Sequence, residues 1–211
     1  MSPAVREVLA GTTNPHKAEE IRRILSDFPL DVLDLSGWEA IPEVPEEGRT
    51  FEENAITKAR FYARLTGLVT IGEDSGLEVD ALGGEPGIYS ARFAGETSGD
   101  DENNRLLLEK LRGVPPGERT ARFRCAMALS SPERLIFTCH GSAEGIIAGE
   151  CRGESGFGYD PLFFVPGYGG TFGELGPGVK DRLSHRARAL AEFRERFGDY
   201  FSAAEDTSGT P

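Results

Sequence analysis

The alternation of apolar residues in the middle of the chain is the feature that most constrains the fold. Every second residue is apolar from 123 to 129, and the run 135–139 repeats the pattern. A period of two is typical of β-strands that bury one face. The segment 142–148 has the composition of a third neighbouring strand. The sequence therefore predicts antiparallel strands at the centre of the chain.

The beginning of the chain has a different pattern, in which a strand leads directly into a helix. Residues 5–10 predict the strand, Asn14 is a good N-cap, and Pro15 suits the first helical position. With the antiparallel centre, this predicts an α/β fold with a mixed central sheet flanked by helices. Because linkers and repeats are absent, we predict one domain over residues 1–200 and a flexible polar tail over 201–211.

Composition excludes several classes of function. The 211 residues carry a net charge of −12, which argues against a protein that binds nucleic acid by neutralising phosphates. An anionic substrate would instead need a few placed cations and a metal ion. No apolar stretch is long enough to cross a bilayer, so we expect no membrane association. Cys125, Cys139 and Cys151 form no CxxC pair, and we expect buried free thiols in a reducing, cytoplasmic compartment.

The first polar block, residues 12–17, stands where the first strand turns into the helix. Such a turn exposes backbone N–H groups and the positive end of the helix dipole, which suits a phosphate. The block adds hydroxyl, amide and ammonium donors, and its members are Thr12, Thr13, Asn14, Pro15, His16 and Lys17. An ordinary helix cap with a surface lysine is the alternative. The GxxxxGK[ST] pattern of a P-loop is absent.

The second polar block surrounds the start of the next predicted helix. Thr50 and Glu53 form a capping box, which predicts a helix to about Thr66. Lys58 follows Asn54 by four residues, so the two side chains share one helical face. A lysine that only contacts solvent is the alternative for Lys58.

The third block places two acids side by side. A short apolar segment, 69–72, runs directly into Glu73, Asp74 and Ser75. The carboxyl end of a strand is a favoured place for a site in α/β sheets, and carboxylates are ligands that Mg²⁺ prefers. A simple Asp-Ser-Gly turn is the alternative. Two adjacent carboxylates repel each other, which favours a cation between them.

The fourth block lies between 156 and 186. Phe157 stands between two glycines, which lets a planar ligand approach the ring. Arg186 follows the helix cap Ser184, where its charge opposes the helix dipole, so we expect it to face an anion or a carbonyl. Burial of Phe157 in the core is the alternative.

Together these blocks resemble the inosine/xanthosine triphosphate pyrophosphatase family over nearly the whole chain, from Leu9 to about Leu190. The matching stretches are TTNPHK at 12–17, TFEENAITKAR at 50–60, DSGLEVDALGGEPGIYSARFAG at 74–95, FGYDPLFFVP at 157–166 and SHRARAL at 184–190. The resemblance implies a two-lobed mixed-sheet domain with a nucleotide cleft, shared with the Maf proteins. It also implies hydrolysis of XTP, ITP and dITP to monophosphate and pyrophosphate, Mg²⁺ as cofactor and a homodimer. Such an enzyme keeps deaminated purines out of DNA and RNA.

The resemblance also assigns roles to individual residues. It implies Asp74, Lys17 and Lys58 as catalytic residues, with Asp74 and Glu47 as metal ligands. The adjacent Glu46 is an alternative to Glu47. Substrate-binding residues implied in this way are Thr12, Thr13, Asn14, Pro15, His16, Lys17, Ser75, Phe157, Gly158, Tyr159, Asp160, Lys180, His185 and Arg186.

Such an enzyme would direct water at the α-phosphorus and release pyrophosphate, with Asp74 acting as base, as metal ligand, or as both. We expect backbone amides near 157–160, with His185 or Arg186, to donate to the purine 6-oxygen. Alternatives are a Maf-type pyrophosphatase, a phosphatase that releases orthophosphate and a nucleotide-binding regulator. A Nudix hydrolase is excluded because its glutamate-rich helix motif is missing.

Overall fold

The computed structural model describes the backbone of residues 6–38 and 41–207 and the side chains of residues 7–38 and 41–200. Its strands are β1 (Arg6–Gly11), β2 (Leu30–Asp34), β3 (Thr70–Val79), β4 (Thr120–Ser130), β5 (Leu135–Ile147), β6 (Phe163–Val165) and β7 (Gly170–Thr171). Its helices are α1 (Pro15–Ile24), α2 (Phe51–Thr66), α3 (Asp100–Lys110), α4 (Phe172–Leu175), α5 (Pro177–Leu183) and α6 (His185–Thr207).

The seven strands form one sheet in the order β2-β1-β3-β4-β5-β6-β7. β1 pairs in parallel with both β2 and β3, whereas β3, β4 and β5 pair antiparallel along most of their length. This arrangement confirms the predicted mixed sheet. The parallel part comes from the strand-helix start of the chain, and the antiparallel part comes from its alternating centre.

β3 and β5 are both longer than the sequence predicted. β3 runs from Thr70 to Val79 without a turn at residues 74–76, and β5 runs from Leu135 to Ile147 through the predicted break before Ser142. Antiparallel pairing with β4 continues along both strands. Hydrogen bonding to this neighbour therefore outweighs the turn preference of Asp, Ser and Gly.

β1 ends earlier than β3, and this difference creates an opening at the sheet edge. Gly11, the last residue of β1, lies opposite Gly72, and β3 continues for seven residues beyond that point. From Glu73 onward β3 no longer pairs with β1; it pairs with β4, and Glu78 also forms an isolated bridge with Pro86. α1 begins beside the part of β3 that β1 leaves uncovered, so its first residues lie close to the two acids.

α2 approaches β3 unusually closely because residue 72 is glycine. A Cβ at this position would collide with the carbonyl oxygen of Ala55 and the backbone of Ala59. Small side chains on both elements therefore let α2 lie directly on the sheet. This contact brings the polar residues of α2 to the middle of β3.

α6 covers the opposite face of the sheet. Leu190, Phe193 and Phe197 lie on its buried side, as the sequence predicted. The helix continues to Thr207, so the predicted tail over 201–211 differs from the structure in its first seven residues. Ala203, Ala204 and Glu205 have favourable helix propensities, which explains the continuation. Residues 208–211 lie outside the described residues.

The cysteines are free, as predicted, but they differ in exposure. Cys125 and Cys139 are buried, whereas Cys151 is exposed, so the expectation of burial was wrong for Cys151. Gly149 and Glu150 before it are also outside any strand or helix, in a surface loop. Within residues 6–38 and 41–207, no helix is long and apolar enough to cross a membrane.

Candidate active site

Glu73 and Asp74 lie on opposite faces of β3. Successive side chains of a strand alternate between faces, and Glu73 points toward α1 and α6 while Asp74 points toward α2. Both side chains are almost completely buried. Each carboxylate is in direct contact with a side-chain cation, Lys17 and Arg186 for Glu73 and Lys58 for Asp74, and a metal cation at these acids stays a prediction.

Asp74 is bound by two residues of α2. Asn54 donates from Nδ2 to Asp74 Oδ2 at 3.0 Å, and Lys58 Nζ lies 3.1 Å from Asp74 Oδ1. Asn54 and Lys58 share one helical face, as predicted, and the structure places both beside Asp74. Burial raises the pKa of Asp74 although Lys58 and Lys17 act to lower it, and the charge of Glu46 adds to the increase. Asp74 is therefore a stronger proton acceptor than an ordinary aspartate.

Glu46 is the acidic residue of the preceding loop that reaches this site. Its Oε1 lies 2.5 Å from Lys58 Nζ, so Glu46 and Asp74 converge on one ammonium group. Burial alone would raise the pKa of Glu46, but the charge and hydrogen bond of Lys58, together with the charges of Lys17 and Arg92, lower it. Glu47, the residue that the sequence favoured as metal ligand, is exposed. A metal-binding role for either residue stays a prediction.

Glu73 belongs to a buried chain of alternating charges on the other face. Lys17 Nζ lies 2.9 Å from Glu73 Oε2, and Arg186 donates to Glu73 Oε1 at 2.8 Å. Arg186 also pairs with Glu20, which in turn lies 2.7 Å from Lys180 Nζ. Lys180 ends the chain with a 2.5 Å contact to Asp160. Arg186 thus faces anions, as the sequence predicted from its place in the helix.

Every charge in this chain has an opposite neighbour, so none of them is buried without a partner. Burial alone would raise the pKa of Glu73, but the charges of Arg186 and Lys17 hold it well below its ordinary value. The pKa of Glu20 is lowered in the same way, against the effect of burial, by Arg186 and Lys180. Asp160 differs, because its nearly complete burial raises its pKa despite Lys180.

Residues 12–17 form a cap whose amides are largely used within the protein. Asn14 Oδ1 accepts from the N–H groups of His16 and Lys17, and Asn14 N–H donates to Thr12 Oγ1. Thr12 N–H donates to the Ala10 carbonyl. The predicted cradle of free amides is therefore mostly absent here. Within this block, Lys17 remains the predicted donor to a phosphate.

A cavity of about 610 Å³, which we call the phosphate chamber, opens beside these residues. Its lining includes Gly11, Thr12, Thr13, Asn14, Lys17, Glu43, Glu46, Lys58, Tyr62, Ala91 and Arg92. Of the predicted block 12–17, Pro15 and His16 do not line this cavity. Pro15 occupies the first turn of α1, and the ring of His16 stacks on Phe157 with centroids 5.4 Å apart.

A second, smaller cavity of about 100 Å³ adjoins the phosphate chamber, and we call it the base pocket. The sequence-predicted residues that line it are Asn14, Lys17, Ser75, Phe157, Gly158, Tyr159, Asp160, Lys180, His185 and Arg186. The half-buried ring of Phe157 has Lys180 Nζ 4.3 Å from its centroid. Ser75 accepts a hydrogen bond from Arg186, and Tyr159 donates to the Ser90 carbonyl. The fourth block therefore forms one wall, as predicted.

Three of the backbone amides expected to recognise the base already have partners. Phe157 N–H donates to Asp160 Oδ2 at 2.9 Å, and Gly158 N–H donates to Asp100 Oδ2 at 2.6 Å. Asp160 N–H donates to the Phe157 carbonyl. These bonds hold the loop in shape but remove those amides as donors to a ligand. Any ligand in this pocket would therefore meet mainly side-chain donors on this wall.

His185 is buried in the base pocket and stacks on Phe123, with ring centroids 4.7 Å apart. Complete burial lowers its pKa well below the ordinary value, and the nearby charges of Arg186 and Lys180 add to this effect. His185 is therefore neutral, with one nitrogen able to donate.

The close packing of α6 on β5 requires glycine at 141, because a Cβ there would collide with the His185 carbonyl oxygen.

Several residues of the site were missed at the level of sequence. Glu20 is one, although its spacing of three from Lys17 places both on one face of α1. Asp100 and Asn104 of α3 are others, since Asp100 accepts from Gly158 N–H and Asn104 donates to the Gly158 carbonyl at 2.9 Å. No local pattern connects these residues to a loop more than fifty positions away.

Known proteins resemble this chain over most of its length. Residues 8–196 match the Ham1 family. A dITP/XTP pyrophosphatase of Geobacter sulfurreducens is 48% identical over 191 residues, which cover 90% of this chain and 96% of that protein. A Ham1 protein structure from Coxiella burnetii superposes with a TM-score of 0.81 at 38% identity, covering 92% of this chain and 99% of the other. For a dITP/XTP pyrophosphatase structure from Mycobacterium abscessus the TM-score is 0.70 at 41% identity, with coverages of 89% and 97%. This chain belongs to the Ham1 family.

Proposed function

We propose that this chain hydrolyses the non-standard purine nucleoside triphosphates XTP, ITP and dITP to the monophosphate and pyrophosphate. The observation that carries the proposal is buried Asp74, which is bound by Asn54 and by Lys58, a residue that lines the phosphate chamber. The adjoining base pocket contains an aromatic ring and several cationic or neutral donors. Relatives at 48% identity that are named dITP/XTP pyrophosphatases support the same activity. Its role is to keep deaminated purines out of DNA and RNA.

Mg²⁺ is the cofactor that we propose, and the donor set fits it. Asp74 and Glu46 supply hard oxygen donors that converge on one position, now neutralised by Lys58. No cluster of three or more His, Cys, Asp or Glu residues suited to a metal occurs in the described part of the chain. Mg²⁺ commonly uses only one or two carboxylates, with water and phosphate oxygens as the other ligands. When bound, the ion would neutralise charge on the phosphates.

The protein residues account for the reaction as follows. Asp74 orients a water molecule and accepts its proton, while the water oxygen bonds to the α-phosphorus. The bond between the α-phosphorus and the bridging oxygen breaks, and pyrophosphate leaves with that oxygen. Lys17 and Lys58 neutralise the charge that spreads over the phosphate oxygens. Asn54 holds the Asp74 carboxylate in place throughout.

Selectivity rests on the purine 6-position. Inosine and xanthosine carry an oxygen acceptor there, whereas adenine carries an amino donor. Lys180, His185 and Arg186 present donors on one wall of the base pocket. An adenine amino group facing such donors stays unpaired, which costs about 1–3 kcal/mol. Phe157 supplies an aromatic ring for stacking of the base.

We further propose that the protein acts in the cytoplasm as a homodimer. The free thiols at positions 125, 139 and 151 suit a reducing compartment. The dimer rests on the family resemblance alone. Size-exclusion chromatography with light scattering tests it, and a monomer mass near 22.8 kDa at working concentration would contradict it.

Product analysis tests the proposed function directly. The protein is incubated with Mg²⁺ and, in separate reactions, XTP, ITP, dITP, GTP, ATP and dUTP. We expect pyrophosphate and the monophosphate from the first three and much slower reaction of the others. Release of orthophosphate would support a phosphatase instead, and preference for dUTP would support a pyrimidine-directed enzyme. A nucleotide-binding regulator would release neither product.

A further inference from the structure

The phosphate chamber is lined by one cation, Arg92, that the reaction described so far does not use, in addition to Lys17 and Lys58. Lys17 enters the chamber from α1 and Lys58 enters it from α2. A third cation, Arg92, enters from the short 3₁₀ segment Gly87–Arg92 on another side of the chamber. The chamber therefore combines cations from three separate segments of the chain.

Arg92 is the least engaged of these three cations. Lys58 lies 2.5 Å from Glu46, and Lys17 lies 2.9 Å from Glu73. The side-chain carboxylates nearest to Arg92 are those of Glu46 and Glu96, at 3.7 and 3.6 Å. Its one contact at hydrogen-bond distance is a 3.5 Å approach to the Glu46 carbonyl. The guanidinium can therefore take an incoming anion without breaking a short ion pair.

The structure also holds Arg92 in position. Its guanidinium carbon lies 5.3 Å from the ring centroid of Tyr89. The backbone on either side is tied to buried Asn103, which donates to the Ala91 carbonyl at 3.1 Å and accepts from Ala94 N–H at 2.8 Å. Little conformational freedom remains to be lost when a ligand binds, which favours binding.

The position of Arg92 relative to the base pocket indicates which phosphates it would meet. Asn14, Lys17 and Ala91 line both cavities, whereas Arg92 lines only the phosphate chamber. A nucleotide whose base occupies the base pocket would pass Lys17 before its phosphates reach Arg92. The phosphates farthest from the base would therefore lie on the Arg92 side.

We infer that Arg92 binds the terminal phosphates of the substrate and so holds the pyrophosphate leaving group. A guanidinium donates two parallel hydrogen bonds to phosphate oxygens, which a lysine cannot do. The inference rests on the proposed function and adds to it a residue that selects nucleotides with a triphosphate. Arg92 thereby distinguishes triphosphates from the monophosphate product.

The test compares inhibition by the two reaction products. In Arg92→Ala we expect pyrophosphate, with Mg²⁺ present, to inhibit ITP hydrolysis about 10- to 100-fold less strongly, because a charge-assisted contact is lost. Inhibition by IMP should be unchanged. Arg92→Lys keeps the charge and should give an intermediate value. Arg60→Ala, which removes an exposed arginine of α2, is the matched control and should behave like the unaltered protein.

Direct binding separates this inference from the proposed function. Calorimetric titration of Mg²⁺-pyrophosphate into the unaltered protein and Arg92→Lys needs no turnover, and it applies even if the alanine variant folds poorly. Equal pyrophosphate affinity in all variants would overturn the role of Arg92, as would an equal loss of IMP affinity. Absence of pyrophosphate release from ITP by the unaltered protein would instead contradict the proposed function.

Discussion

The base pocket and the phosphate chamber differ in how their polar groups are satisfied. In the base pocket the charges of Asp160, Lys180 and Arg186 are paired and buried, and the loop amides bond to the protein. At the phosphate chamber, the carboxylates of Glu46 and Asp74 share Lys58, and Arg92 makes only long contacts to neighbouring carboxylates. The charges of the base pocket are thus paired, although His185 Nδ1 and Arg186 Nε have no hydrogen-bond partner among the described residues, whereas two carboxylates at the chamber depend on one lysine.

This difference indicates how the two cavities use binding energy. A preformed pocket loses little freedom when it binds a flat base, so it can discriminate by shape and by unpaired donors. If a metal-bound triphosphate binds in the chamber as proposed, its charges would satisfy both the carboxylates and the cations there. The proposed function therefore assigns recognition to the base pocket and the chemistry to the chamber.

Asp74→Asn tests the phosphate chamber, and we expect it to have the largest effect on activity. Asparagine keeps the shape but cannot accept the proton of water, so we expect turnover to fall about 10²- to 10⁴-fold. The measurement is kcat for ITP hydrolysis, with circular dichroism as the check on folding. Glu78→Gln, on the same face of β3, removes a carboxylate paired with Arg124 and should leave kcat near normal. Near-normal turnover in Asp74→Asn would refute its catalytic role.

Phe157→Ala tests the base pocket, and we expect a smaller effect on activity. Loss of base stacking is worth about 1–3 kcal/mol, so KM for ITP should rise about 5- to 150-fold. Inhibition by pyrophosphate should stay the same, because it does not involve the base. Phe157→Tyr keeps the ring and should restore KM, whereas Phe157→Leu should not. A loss of pyrophosphate affinity in Phe157→Ala would show that the two cavities are not separable in this way.

The smallest expected effect concerns His185, which should make the free energy of unfolding depend on pH. Its lowered pKa means that the folded protein binds a proton less readily than the unfolded chain does. Stability from this residue is therefore present above about pH 6.5 and falls by up to about 1.4 kcal/mol for each unit below it. His185→Gln should have a shallower loss of unfolding free energy between about pH 7 and 5.5 in urea titrations. Equal slopes would contradict the assignment.

The fold was predictable where a single local signal sufficed. The period of two around Met127 predicted β4, and the cap at Asn14 predicted the start of α1. The lengths of β3 and β5 were not predictable, because hydrogen bonds to β4 carry each strand through residues that favour turns. Pairing across the sheet is a property of two segments, and the sequence of one does not contain it.

The site was predictable in its residues but not in its electrostatics. The structure brings Asp74 beside Lys58 and Arg186 beside Glu73 and Ser75, and the roles of these residues stay a prediction; Glu73 and Asp74, however, were expected at a strand end. They lie within a continuous strand instead, which places them on opposite faces. Asn14 was identified as a cap, but a cap that uses its own amides leaves fewer for phosphate. Each difference comes from contacts made after the chain has folded.

The continuity of β3 limits how this protein can vary over evolution. Inserting or deleting one residue between Gly72 and Glu73 would shift the register and exchange the faces of every later side chain. Asp74 would then leave Lys58, and the neighbouring acid would leave Arg186. We therefore expect changes of length among related proteins to accumulate in the loops, such as the one before Thr50, and β3 to keep its length.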